Sequence, residues 1–197
     1  LEYGLFGAAG LLMGLISTTA LAAHQIALQI AAILFMVPFG ISMAATVRVG
    51  QAVGRRDAEA VQRAGFVAVA LSGVFMSVMT LAVILARFEI AALFLGEASD
   101  ATAQLTAMLL LIGATFFIAD GVQTTTAGAL RGMNDTKVPL LFAVISYWLV
   151  GFASAAALAF WAGLDAPGVW IGLSLGTAVY ATLLILRFRL LARKLLG

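Results

Sequence analysis

The sequence predicts an all-α polytopic membrane protein, a bundle of six transmembrane helices. The 197 residues are 63% hydrophobic and only 10% charged, with a mean hydropathy of +1.12. A soluble domain of this size has no core large enough to hide that much apolar surface, so lipid must act as solvent. Six apolar segments, about 1–18, 22–49, 61–86, 101–129, 138–162 and 168–186, are separated by the short breaks that join packed helical hairpins. The basic residues collect at alternate breaks. Arg48, Arg55, Arg56, Arg63, Arg131, Lys137, Arg187, Arg189, Arg193 and Lys194 fall on one side, and Arg87 alone on the other. By the positive-inside rule both chain ends are expected in the cytoplasm.

Composition also excludes several chemistries. There are no cysteines, hence no disulfides or thiolate metal sites, and His24 is the only histidine. A pI near 9.4 would suggest nucleic acid in a soluble protein. With the charges at helix ends it marks membrane orientation instead, and no nucleic-acid partner is expected. The chain opens on Leu1, without Met or a signal-peptide pattern, and is expected to be a piece of a longer protein.

Segment one carries Glu2 and then no charge before Arg48. If it ends near Thr18, Glu2 lies roughly 25 Å from the outer surface by helical rise; the bland alternative is a frayed, wet helix end. Segment two has His24 and Gln25 at its outer entrance, Gln25 and Gln29 one turn apart, and Pro38 mid-segment. The proline removes a backbone hydrogen bond and predicts a kink. His24 reads as a hydrogen-bonded interfacial residue. Segment three holds no buried charge and reads as scaffold. The outer stretch EIAALFLGE after it is short and amphipathic, as expected at an interface.

Segment four holds the principal candidate. Nothing from Leu105 to Ala119 is charged, and Asp120 stands eleven positions before Arg131. Asp120 is therefore about 16 Å from that end and about 28 Å from an outer end near Ala101, by helical rise. An ionised Asp at that depth costs about 2.5–3.5 kcal/mol on insertion scales, so it should face protein or water. Phe116, Phe117, Gln123 and Thr124 lie three or four positions away and share its face. Glu2 and Asp120 come out at the same depth, and two carboxyls at one level can share a proton or hold a cation. The alternative is a packing Asp tied to nearby hydroxyls and amides.

After Arg131, the run Asn134, Asp135, Thr136 ahead of Val138-Pro139 reads as a helix cap. Tyr147 and Trp148 lie mid-segment, where they fill the bundle or touch a ligand. Trp161 and Trp170 flank the last outer connection, the expected place for an aromatic belt. Gly168, Gly172 and Gly176 make a small-residue stripe for close helix approach.

The His-Gln entrance, the FMVPFGISMAATVRVGQAVG run with its short basic loop, the GALRGMNDTKVP loop and the SYWLVG stretch resemble multidrug and toxic compound extrusion (MATE) transporters. The likeness covers essentially all 197 residues. It implies the C-terminal six-helix lobe of a twelve-helix antiporter of the bacterial inner membrane, nearest the norfloxacin-exporter branch. The missing N-terminal lobe of the same polypeptide would be its partner. By this resemblance Glu2 and Asp120 match the cation-coupling carboxylates, and they would be the metal ligands if Na⁺ rather than H⁺ is the coupling ion. Gln25 matches a helix-eight Gln, while Phe35 and Phe116 stand where some members carry Tyr. With Gln29, Gln123 and Thr124 these residues form the expected substrate-binding set. The implied activity is alternating-access export of small organic cations and drugs by a protein whose other partner is membrane lipid, with no enzymatic step and no cofactor beyond the coupling ion. Two other classes compete. A lipid-linked saccharide flippase of related fold would line its cavity with several basic residues. An intramembrane hydrolase would need a Ser72–His24 pair, or Glu2 and Asp120 as two acids, yet Asp120 lacks a Gly-x-Gly-Asp turn.

Overall fold

The computed structural model describes residues 2–96 and 100–195; Leu1, Glu97 and Gly197 lie outside the described residues. Helices α1 (Glu2–Ile16), α2 (Thr18–Gly54), α3 (Ala58–Leu85), α4 (Arg87–Leu95) and α5 (Asp100–Gly132) follow in order. The helical rods α6 (Lys137–Trp161) and α7 (Asp165–Lys194) complete the bundle. Five of these, α2, α3, α5, α6 and α7, are long and apolar enough to cross a membrane, whereas α1 is shorter at 15 residues.

Local chemistry sets the breaks. Ser17 alone separates α1 from α2: its backbone is extended, and its hydroxyl accepts from the Ala20 N–H at 3.0 Å. Asp57 does the same for α3, accepting from Ala60 N–H at 2.9 Å. The cap expected before α6 is not formed this way. Thr136 makes no capping bond, and the Asp135 carboxylate instead accepts from Arg187 Nε on α7 at 2.8 Å. A charged partner is the stronger acceptor–donor match, and Asn134 takes the left-handed turn at φ 62°. Pro38 lies inside α2, which continues past it as helix to Gly54.

Helix α5 is the axis of the bundle, packed on α2, α3, α4 and α7. Its seam with α2 is built from small residues. A Cβ added at Gly132 would lie 2.6 Å from the Thr46 carbonyl oxygen, so the two backbones meet only because none is there. Hydroxyls close the seam: Ser42 Oγ donates to the Thr124 carbonyl and Thr46 Oγ1 to the Gly128 carbonyl, both at 2.9 Å. The expected glycine stripe makes the second seam, between α7 and α6. A Cβ at Gly176 would sit 2.7 Å from Gly151 Cα, and one at Gly168 2.7 Å from the Ala159 nitrogen. Along this seam α6 is wound wide, with π turns over Ile145–Phe152 and Ala157–Trp161.

The tryptophans divide. Trp161 is 90% exposed, as a belt residue would be, but Trp170 is fully buried. Helix α7 turns Trp170 toward α5, where its ring meets Phe116 at 5.7 Å and Phe117 at 6.3 Å between centroids. Gly113 leaves the space: a Cβ there would be 3.0 Å from the indole. His24 is corrected in the same way. It is fully buried, edge-on to Trp170, and faces the Phe6 carbonyl. Among the described residues neither ring nitrogen makes a hydrogen bond of normal geometry, the approach to the Phe6 carbonyl included.

Candidate functional site

Asp120 and Gln123 are one turn apart on α5, both buried, at 4% and 2% exposure. Spacing of three places them on one face, and the face points at the start of α1. The Gln123 amide nitrogen donates to Asp120 Oδ1 at 2.8 Å and to Glu2 Oε1 at 3.2 Å. One side-chain amide thus joins the two carboxyls that are 118 positions apart in sequence (120 − 2). The other end of the same amide is also held: Tyr147 on α6 donates its hydroxyl hydrogen to Gln123 Oε1. Tyr147 in turn lies against Tyr180 of α7, with ring centroids 5.1 Å apart. The cluster draws on α1, α5, α6 and α7.

Two cavities meet at this cluster. One, of about 470 Å³, is lined by Glu2, Asp120, Gln25, Gln29, Phe35 and Phe116 among others. The second, of about 390 Å³, is lined by Glu2, Gln123, Thr124, Tyr147 and Tyr180 and reaches Asp135 and Thr136 at the α5–α6 turn. Both volumes lie in the range of small-molecule pockets, roughly 300–1,000 Å³. Glu2, Phe35 and Phe39 line both, and the two phenyl rings stack at 5.8 Å. Gln25 and Gln29 are exposed at the first cavity's rim, while Phe116 is buried edge-on to Phe6 at 5.8 Å.

The structure therefore brings all eight sequence-predicted site residues to one of two adjoining cavities. It adds three that the sequence did not single out as a site. Tyr147, which its mid-segment position allows either to fill the bundle or to touch a ligand, is one. Tyr180 had no signal. Arg131, counted only as a helix-end charge, lines the second cavity and donates to Ser42 Oγ at 2.9 Å. Ser72, the candidate nucleophile, is buried and donates to the Gly121 carbonyl at 2.9 Å. Among the described residues neither nitrogen of His24 has a hydrogen-bond partner and the Ser72 hydroxyl is given to Gly121, so the two are not paired. Among the described residues no group of three or more His, Cys, Asp or Glu side chains could hold a metal ion.

A helical bundle with a buried, amide-bridged acid pair between two cavities defines a polytopic membrane protein with an internal polar site. The MatE family model matches residues 1–157, four-fifths of the sequence. The chain belongs to the MatE family. It is 66% identical over 199 aligned positions to the probable multidrug resistance protein NorM of Bradyrhizobium diazoefficiens, covering 100% of this chain and 43% of that protein. It is 48% identical to the multidrug resistance protein NorM of Burkholderia vietnamiensis, again over 100% of this chain and 43% of the relative. Among solved structures, the fold matches that of the eukaryotic MATE transporter AtDTX14 with a TM-score of 0.89 at 24% identity, over 99% of this chain and 45% of that one. An outward-facing MATE family transporter of the MOP superfamily matches with a TM-score of 0.87 at 19% identity, over 98% and 42% of the two chains. The chain thus spans less than half the length of the relatives it matches.

Proposed function

We propose that this chain is the C-terminal lobe of a cation-coupled exporter of organic cations and drugs. In this reading α1 is the sixth crossing, both chain ends face the cytoplasm of a bacterial inner membrane, and an N-terminal lobe of the same polypeptide completes the transporter. The observation that carries the reading is the shared amide. Gln123 Nε2 donates to Glu2 and Asp120 together, so the two acids respond to a cation as one unit. Glu2 lines both cavities, and a carboxyl with access to both can exchange its cation with either. Names such as multidrug resistance protein, borne by the 66% and 48% identical relatives, support drugs as the other cargo.

The amide also supplies a switch. With carboxylates to satisfy, the N–H groups of Gln123 face Glu2 and Asp120, and Tyr147 donates to its oxygen. When the acids carry a proton, the amide turned over offers Oε1 to the carboxylic O–H, and the Tyr147 hydroxyl accepts from Nε2. Na⁺ would draw the same oxygen toward the pair. Loading the site therefore moves a side chain that α1, α5 and α6 share, and it favours one arrangement of the lobe over another. Coupling requires each ligand to prefer a different arrangement.

The test is drug efflux by the full-length protein in proteoliposomes under separately imposed Na⁺ and H⁺ gradients. The expected result is uptake or efflux driven by one gradient and collapsed by its ionophore. Flux indifferent to both gradients would defeat the coupling assignment.

A further inference from the structure

A third cavity, of about 630 Å³, lies away from the acid pair, in the groove between the C-terminal end of α2 and the start of α3. Its lining is divided along its length. Arg48, Arg55 and Arg63 stand at one end, and all three are exposed. Among the described residues none of the three guanidiniums forms an ion pair or a hydrogen bond. Going toward the middle of the helices the lining turns apolar, through Ala45 and Ile41 on α2 and Val67 and Leu71 on α3. Ile41 lies seven residues before Arg48 and Leu71 eight after Arg63, so the apolar floor runs about 10–12 Å beyond the guanidiniums.

Two carboxyls share the polar end, Asp57 and Glu59. Asp57 is engaged in capping α3 through the Ala60 N–H at 2.9 Å. Three guanidiniums against two carboxylates leave one positive charge in the groove. A soluble anion would use the arginines and leave the floor bare, and a neutral lipid would leave the charge unanswered. We propose that this groove binds a monoanionic glycerophospholipid such as phosphatidylglycerol. The phosphodiester lies on Arg48, Arg55 and Arg63, whose planar forks suit phosphate oxygens. One acyl chain lies on the apolar floor between α2 and α3. The site sits at the end of α2 whose other portions line both cavities of the acid cluster, so the lipid would also brace that helix against α3.

The full-length protein, delipidated in detergent, is titrated with phosphatidylglycerol, phosphatidylcholine or phosphatidylethanolamine of matched chains, and bound lipid is counted by native mass spectrometry. Phosphatidylglycerol is expected to be retained at least about tenfold better than either other lipid. Arg48→Gln/Arg63→Gln should lower its retention by about tenfold and leave phosphatidylcholine retention unchanged. Ala68→Phe, which fills the floor between Val67 and Leu71, should also displace phosphatidylglycerol. Inorganic phosphate at the same concentration should not compete. Equal retention of the three lipids, preference for the ethanolamine lipid, or full competition by inorganic phosphate would each overturn the assignment. So would a double-arginine variant that binds phosphatidylglycerol like the parent. The wild-type lipid comparison decides the matter even if a variant fails to fold.

Discussion

Asp120 and His24 are both ionisable, both buried in the bundle, and differ in everything around them. Asp120 accepts from Gln123, which is itself held by Tyr147 and shared with Glu2. Around His24 lie Trp170 edge-on and the Phe6 carbonyl, and among the described residues neither ring nitrogen makes a hydrogen bond of normal geometry. The Trp170 Nε1 and the Ser174 hydroxyl close by on α7 are unpartnered too. A buried polar atom without a hydrogen bond costs roughly 1–3 kcal/mol. One polar region is thus a connected hydrogen-bond network, and the other is set among packed aromatic rings. Burial alone does not distinguish the two; the wiring does.

The largest effect that would break this contrast is at Asp120. Asp120→Asn keeps the volume, keeps an oxygen to accept from Gln123, and removes the ionisable group. Insertion and expression should match the parent, since burying an amide costs less than burying a carboxylate. Gradient-driven efflux by the full-length protein should fall to background, with Glu2→Gln giving the same kind of loss. Initial efflux rate at matched expression, with and without Na⁺, is the measurement. Parental rates in Asp120→Asn would reduce the cluster to a structural network.

Next comes the wiring itself. Tyr147→Phe keeps the ring on Tyr180 and deletes only the hydroxyl that pins Gln123. The loss of one such bond is worth about 0.5–1.5 kcal/mol, or roughly two- to thirteenfold in an equilibrium. The concentration of coupling ion at half-maximal efflux should shift by that factor while the thermal midpoint moves little. A thermal midpoint that falls while ion dependence stays fixed would make Tyr147 a packing residue.

The contrast also shows what a single sequence can reveal. Asp120 was legible because a charge inside an apolar run must be accounted for, whereas Glu2, at the start of its segment, stood out only by its matching depth and by the family resemblance. Gln123 was legible as a neighbour at i+3. Tyr147 was not, because its face depends on the wide turns of α6 between Ile145 and Phe152, where a 3.6-residue period gives the wrong direction. Trp170 misled for a different reason. The belt rule uses distance from a helix end, but burial is decided by facing, and the missing side chain at Gly113 opened the facing pocket. Asp135 was read as a local cap because its partner, Arg187, is 52 positions away. Sequence distance hides such pairs. The glycine stripe of α7 was read correctly because only the absence of a side chain was needed.

The smallest predicted effect sharpens the other half of the comparison. His24→Leu replaces two unpartnered nitrogens with methyl groups of similar bulk beside Trp170. Removing a buried polar group that has no partner forfeits no hydrogen bond, so the change should leave stability within about 1 kcal/mol of the parent or raise it. His24→Ala should instead cost about 2 kcal/mol or more, because it opens a cavity against the indole. Neither variant should alter the ion concentration for half-maximal efflux, since His24 lines neither cavity of the acid cluster. Thermal unfolding in detergent, followed by tryptophan fluorescence, reads the first pair of effects, and the efflux titration reads the second. If His24→Leu loses more stability than His24→Ala, or shifts ion dependence as far as Tyr147→Phe, the histidine holds a polar partner. The two buried regions would then be wired alike.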